Sequence, residues 1–374
     1  MAYDYFGGRD HDVMAEHRRR VATRLSLRFR LRDASDPLDV TVEAFVSVYR
    51  MPQDVFMLLV QTLEPFKLQT TSGRAIPFYM KVLCTVFYLA SGSYQRHLST
   101  SVNHPLGQGT VSKAINEVID LLNRPEVLTR YVRFPTTHAE RVACIERNNH
   151  LGLPDVLGML DGTLVPIFPP DKPNQPYYCR KGFTAINALI VCDASLKILT
   201  INARFAGSSN DSFVYHESGL PEVMEAAYRE DHCWLLGDSG YPNLPWLMVP
   251  LLPAPPPGTP GSSYNKLHAK ARNPVERCIG VLKCRWRCLL VPIHYHPAKA
   301  GRILNACAVL HNLLLENNMP LPVDYEIFID PVEDPDANPV DPNELQMLPA
   351  ELRREANANR QYLIEHAHWY LNRQ

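Results

Sequence analysis

Residues 154–168 read PDVLGMLDGTLVPIF, and residues 184–207 read TAINALIVCDASLKILTINARFAG. Each contains short apolar runs bounded by Pro, Gly, Asp or Ser, which is the pattern of strands. The second stretch breaks at Ser195-Leu196-Lys197, a turn, so the two stretches predict three strands. The middle one, TAINALIVC, is apolar on both faces and predicts a central strand. Residues 210–230 then read as helix, and HCWLLGDSGYP (232–242) as a fourth strand. LPAPPPGTPGSS (252–263) reads as a long Pro/Gly loop. A basic helix from Pro274 and an apolar helix over 300–317 complete the domain. The order β-β-β-α-β-loop-α-α predicts an α/β domain over 151–320, a mixed sheet with helices packed on it.

The remainder divides by composition. Residues 1–40 read as a mobile basic segment, with Arg18, Arg19, Arg20, Arg24, Arg28, Arg30 and Arg32 in an acid-free run. That run suits either a solvated helix face or an arm on phosphates. Residues 41–150 read as helical. Within them, a short helix near Tyr94–Ser101, a Pro/Gly turn and a helix over 109–122 resemble a helix-turn-helix. Val111, Ile115, Val118, Ile119 and Leu122 would be its buried stripe, and Gln108, Thr110, Ser112, Lys113 and Asn116 would face outward. Those outward side chains suit base edges and phosphates, but two short helices with a tight turn are also ordinary packing. Residues 321–374 begin acidic and Pro-rich and end in a helix of unassigned role.

The formal net charge of −1 announces no polyanionic partner; the signs are separated along the chain instead. Nine scattered cysteines without a CxxC pair indicate neither a zinc ribbon nor a disulfide framework. No apolar stretch reaches the length of a membrane span, and no dinucleotide fingerprint, P-loop, nucleophile elbow or HExxH is found.

The informative residues are carboxylates. Asp161 lies inside an apolar strand, Asp238 closes the fourth strand, Asp211 opens a helix and Glu276 stands in a segment otherwise committed to positive charge. A charge in an apolar strand is costly unless paired or coordinated. Carboxylates from separate elements, meeting at a sheet end, suit the hard divalent ions that phosphodiester cleavage uses. For Glu276 a second reading is open. Asn273-Pro274-Val275-Glu276 has the form of a helix start, with Glu276 reaching back to free N–H groups. On that helix Val275, Ile279, Leu282, Trp286 and Leu289 would face the core, while Glu276, Gly280, Lys283 and Arg287 would line the adjacent stripe.

GMLDGTLVPI, YYCRKGFTAINALIVCDASLKI, FAGSSNDSFVY, WLLGDSGYPNLPWLMVPL, YNKLHAKARNPVERCIGVLKCRWRCL and ACAVLHNLLLE stand in order between about 158 and 316. In these motifs the chain resembles the PIF/Harbinger transposase family. The resemblance implies an RNase H-like core with a DDE triad, which falls on Asp161, Asp238 and Glu276, and Mg²⁺ or Mn²⁺ as cofactor. Asp211 matches a further acidic position, an accessory ligand or a helix cap. Arg180 and Lys181, with Tyr177 and Gly182, match a stretch read as substrate-facing; with Lys113, Lys283 and Arg287 they are the candidate DNA contacts. Leu164 stands where the family often has His. The resemblance also implies DNA as substrate, a Myb/SANT-like DNA-binding partner protein, a nuclear and cytoplasmic location and no membrane, and leaves a homo-oligomer open. It is compatible with a metal-dependent DNA endonuclease, a catalytically silent DNA-binding or scaffold protein, or a transposase carrying out strand transfer; the same fold can also cut RNA.

Overall fold

The structure is a computed structural model and describes residues 16, 18–20, 23, 36–69, 75–98, 106–170, 175–328 and 349–373. Most of the basic N-terminal segment and residues 329–348 of the acidic segment therefore lie outside the described residues. The chain falls into two compact units, Met1–Val118 and Ile119–Gln374.

The first unit is helical: α1 (Val42–Tyr49), α2 (Gln53–Leu63), α3 (Phe78–Ser91), the single turn α4 (Gln95–Leu98) and α5 (Gln108–Leu122), which runs on past the division. The Thr41 hydroxyl caps α1 by accepting from the Ala44 N–H, and Gly92, at φ +67°, ends α3 in the left-handed region that glycine adopts without strain. Phe45 packs against Tyr49 and Phe56, with ring centroids 4.5 and 5.7 Å apart. The helices expected on either side of the helix-turn-helix turn are present; residues 99–105, which would join them, lie outside the described set. Val111, Ile115, Val118, Ile119 and Leu122 are buried and Lys113 is exposed, as the apolar spacing requires.

In the second unit, α6 (Pro125–Tyr131) and α7 (His138–Asn148) precede the sheet. A reciprocal cap between Thr137 and Glu140 starts α7. Residues 119–150 group with the sheet, and α7 is tied to it: Asn148 Nδ2 donates to the Val156 carbonyl and Cys144 Sγ to that of Leu157.

The strands are β1 (Val156–Pro166), β2 (Ala185–Cys192), β3 (Ile198–Ala206), β4 (Trp234–Leu236) and β5 (Leu247–Met248), in the order β3-β2-β1-β4-β5. The first three form an antiparallel meander, while β4 runs parallel to β1 and β5 parallel to β4. Every residue of β2 is buried, in keeping with its two-sided apolar pattern. The β2–β3 turn falls where the sequence breaks, with Leu196 at φ +65°. Between β3 and β4 lie α8 (Asp211–His216) and α9 (Leu220–Asp231). All nine cysteines are buried and none is in a disulfide. No helix among the described residues is long and apolar enough to cross a membrane.

One helix begins well before its expected start. The basic helix does not open at Pro274: α10 runs Pro260–Arg285, capped by the Thr259 hydroxyl, which accepts from the Ser262 N–H. Pro274 sits inside it. Proline there removes one hydrogen bond to the preceding turn, a cost of about 3 kcal/mol in a helix interior. Burial on the N-terminal side offsets it. Tyr264, Leu267, His268, Ala271 and Val275 follow helical spacing and are all buried. The Tyr264 hydroxyl donates to the Val249 carbonyl and His268 Nε2 bonds the Met248 carbonyl, anchoring this half beside β5. Along its length α10 packs on β1 and β2. The remaining helices are α11 (Pro297–Glu316), which lies on β3 and β2, and α12 (Ala350–Leu371), the tail helix, which lies along α10.

Candidate active site

The sheet brings the strand carboxylates level. Met159 of β1 is in register with Leu236 of β4. Two residues further along these parallel strands come Asp161 and Asp238, at the same end of the sheet. Asp211 arrives from the other side, as the first residue of α8. A side chain at Gly162 would overlap the Asp211 carboxylate, so the glycine after Asp161 is what admits Asp211 to the strand. Asn187, buried in β2, fixes that carboxylate by donating from Nδ2 to Asp211 Oδ1 at 3.0 Å. Asp238 is held by its own turn, where Oδ1 accepts from the Gly240 N–H at 2.9 Å.

Glu276 comes from α10. It stands more than four turns into the helix, so the helix-start reading of this residue is excluded: no free N–H groups lie nearby for it to cap. Its partner is Arg272, one turn earlier, whose Nη2 donates to Glu276 Oε1. The same guanidinium faces Asp161, with Nη1 3.4 Å from Oδ2. All three side chains are largely buried, at 14–19% exposure.

The electrostatics follow. Burial raises the Asp161 carboxyl most; Arg272 opposes the rise, and Asp238, Asp211 and Glu276 add to it, leaving it at about 7. Arg272 is disfavoured as a cation by burial, but Asp161, Glu276 and Asp238 outweigh that and raise it. Tyr241, from the turn after Asp238, is fully buried and pushed well up, by burial first and then by Asp211, Asp238 and Asp161. Its hydroxyl has no hydrogen-bond partner among the described residues. Arg272, Tyr241 and Asn187 are members of the site that the sequence reading did not select. The signal for Arg272 was its spacing, four residues before Glu276, which places both on one helix face.

The candidate DNA contacts fare unequally. Arg180 and Lys181 are exposed at the tip of a tight turn before β2, where Gly182 has φ +83° and donates to the Cys179 carbonyl. Arg287 is exposed beyond the end of α10. Lys283 does not line an exposed stripe: it is buried, at 7% exposure, as is Gly280. The helix has no bare polar face there, because the sheet, α12 and the turn Tyr325–Phe328 pack against it. Among the described residues no three His, Cys, Asp or Glu side chains are grouped so as to hold a metal ion as they stand. The donor set nevertheless fits a hard divalent cation: four carboxylates and, in Arg272, a buried positive charge that partly neutralises them.

Residues 160–312 match the model of the DDE superfamily endonuclease family. The chain is 31% identical to rat (Rattus norvegicus) "Putative nuclease HARBI1" over 332 residues, 87% of this chain and 90% of the relative. Its identity to the human (Homo sapiens) protein of that name is 33%, over 75% of this chain and 80% of the relative. "Protein ALP1-like" from Arabidopsis thaliana is 25% identical, over 74% of this chain and 71% of the relative. The chain belongs to the Harbinger-derived nuclease family that HARBI1 represents. No solved structure matches it at a significant level. The five-stranded mixed sheet flanked by helices is consistent with a DDE nuclease domain.

Proposed function

We propose that the protein is a metal-dependent DNA endonuclease with an RNase H-like catalytic domain, in which Asp161, Asp238 and Glu276 form the DDE triad. The observation that supports this most is the meeting of Asp161, Asp238 and Glu276, from β1, the turn after β4 and α10, around the buried Arg272, with Asp211 near enough to act on Asp161. Mg²⁺ or Mn²⁺ held by the triad, with Asp211 as an accessory ligand, would supply a Lewis-acid centre for a water and a phosphodiester. The chain's own residues do the rest. Gly162 leaves room for Asp211, Asn187 orients it, and the Asp238 turn presents its carboxylate at the strand end. Arg272 holds Asp161 and Glu276 facing one another. Without a bound cation the Asp161 carboxyl stands at about 7, so a cation seated there would meet it as the carboxylate by displacing its proton. Exposed Arg180, Lys181 and Arg287 in this unit, and Lys113 in the other, would meet DNA phosphates. A Myb/SANT-like partner, self-association and a nuclear and cytoplasmic location belong to the same proposal and are supported by the family resemblance alone.

The test is nicking of supercoiled plasmid with Mn²⁺. Wild type is expected to cut, and Asp238→Asn to lose roughly a thousandfold or more. Equal cutting by both would overturn the assignment. A catalytically silent DNA-binding protein is the second reading, favoured by the lack of a ready three-donor cluster among the described residues and by the charge Arg272 already supplies. It expects DNA binding with no cut ends in either protein. A transposase would use the same residues and differ in joining element ends to target DNA.

A further inference from the structure

The turn that ends β4 carries a second polar group besides the Asp238 carboxylate. Tyr241 stands three residues further on, and its N–H donates to the Asp238 carbonyl at 3.3 Å. The chain folds back there and lays the Tyr241 ring against Gly237. A side chain on Gly237 would crowd that ring at 3.0 Å, so the glycine before Asp238 is what makes room for it. On its other side the ring meets Tyr215 edge-on, with centroids 6.0 Å apart. Tyr215 comes one turn after Asp211 on α8, on the same helix face. The ring therefore stands between the two segments that present Asp238 and Asp211.

Tyr241 is 1% exposed, and its hydroxyl finds no hydrogen-bond partner among the described residues. Its neighbour differs: Tyr215, equally buried, accepts from Trp246 Nε1 at 3.1 Å. A buried hydroxyl without a bond is costly, and phenylalanine would fill the same space without that cost. Packing alone therefore gives no reason for a tyrosine here. Burial first, and then Asp211, Asp238 and Asp161, push the hydroxyl well up, so it is a neutral phenol. Asn187 supplies a second atom of the same kind. Its Nδ2 is committed to Asp211 Oδ1 and to the Ser209 carbonyl, each at 3.0 Å. Its Oδ1 is buried without a partner among the described residues. Turning the amide over would point that oxygen at two acceptors. Both atoms border the carboxylates, and both can accept a hydrogen bond.

Water on a hard cation brings hydrogen-bond donors into a cluster of carboxylates. A cation such as Mg²⁺ keeps several waters when one or two carboxylates bind it. A neutral phenol can take such a water on its oxygen and give its hydrogen to a carboxylate at the same time. We propose that Tyr241 is a positioning residue of the carboxylate site, whose hydroxyl oxygen accepts from a water carried by the divalent cation that Asp161 and Asp238 hold. This deepens the metal-dependent reading of the site and rests on it.

The test is calorimetric titration of Mn²⁺ into the full chain without DNA, beside melting curves of the EDTA-treated protein. Tyr241→Phe keeps the ring and removes one oxygen atom. Without metal it should melt no lower than wild type, because an unbonded buried hydroxyl is gone. It should bind Mn²⁺ about tenfold more weakly, the loss usual when a group behind the metal's direct ligands is removed. Tyr215→Phe is the control: it takes the acceptor from Trp246 and should melt lower, with Mn²⁺ affinity unchanged. Equal Mn²⁺ affinity in Tyr241→Phe and wild type would overturn the proposal, and if that variant still nicks plasmid the function stands. A lower melting temperature in metal-free Tyr241→Phe would mean that the hydroxyl serves the fold, and would overturn it as well. An equal loss of Mn²⁺ affinity in Tyr215→Phe would assign the effect to packing, with the same consequence. If wild type binds no Mn²⁺, the metal-dependent function falls and takes the role of Tyr241 with it.

Discussion

Two buried aspartates of the sheet, Asp193 and Asp161, have opposite surroundings. Asp193, at the end of β2, is fully buried. Its Oδ1 accepts from the Ser195 and Lys197 N–H groups, and Oδ2 from Arg147 Nε at 3.1 Å. Asp161, two residues beyond the last rung shared by β1 and β4, accepts from the next N–H, that of Gly162, and shares Arg272 with Glu276. Burial first, and then three further carboxylates against the opposing charge of Arg272, leave its carboxyl raised to about 7. The fold settles one acid and leaves the other in electrostatic debt. A buried carboxylate with its bonds filled closes a turn. A buried carboxylate crowded by its own kind is a cost that folding alone does not explain.

The sharpest way to break this contrast is to remove the settled acid. Asp193→Ala takes three charge-assisted hydrogen bonds from the β2–β3 turn, and the metal-free protein should lose about 3 kcal/mol. Urea unfolding measures it. A loss under about 1 kcal/mol would mean that the Asp193 bonds are not what holds the turn.

The crowded acid should behave in the opposite sense. Asp161 is raised in the fold, so between about pH 4 and 7 the native chain holds a proton that the unfolded chain has released. Its contribution is therefore most favourable below pH 4 and is lost as the pH climbs through 7. The full shift corresponds to at most about 4 kcal/mol, and partial exposure reduces it to about 2. Asp161→Asn should make the EDTA-treated protein more stable by about that amount at pH 8 and change little at pH 4.5, in thermal melts. Arg272→Gln should do the reverse, destabilising the metal-free protein at pH 8 because it removes the charge that faces two carboxylates. An Asp161→Asn protein that melts lower at both pH values would place Asp161 with Asp193 as a structural acid.

The first four strands, and the four acids as candidates, were legible because their chemistry is local, whereas the two-residue β5 was not foreseen. An apolar run with one aspartate followed by glycine is visible without tertiary structure. The meander, its turn at Leu196 and the buried β2 follow from the same kind of reading. What escaped depended on contacts between distant segments. Lys283 reads as surface from its charge and is buried because α12 and the Tyr325–Phe328 turn close over α10. Arg272 looks like one more cation in a basic stretch and becomes distinct only when β1 brings Asp161 to it. The start of α10 was hidden by Pro274, whose strong local signal outweighed the quieter spacing of Tyr264, Leu267, Ala271 and Val275.

That last point yields the smallest prediction and the most direct test of where the helix begins. Thr259 accepts the Ser262 N–H at 3.2 Å, so Thr259→Ala should cost about 1 kcal/mol, the usual value of a lost cap. Asn273, exposed in mid-helix, has no free N–H group to cap, and Asn273→Ala should be neutral or slightly stabilising, by a few tenths of a kcal/mol, since alanine is the better helix former. The two substitutions, measured side by side by urea unfolding, discriminate the two helix starts. If Asn273→Ala costs more than Thr259→Ala, the helix begins at Pro274, Glu276 returns to a first turn with free N–H groups, and its carboxylate has a structural employment that competes with the catalytic one. If the order is as expected, Glu276 has no backbone to cap, and only Arg272 and a bound cation remain to explain an acid in this basic helix.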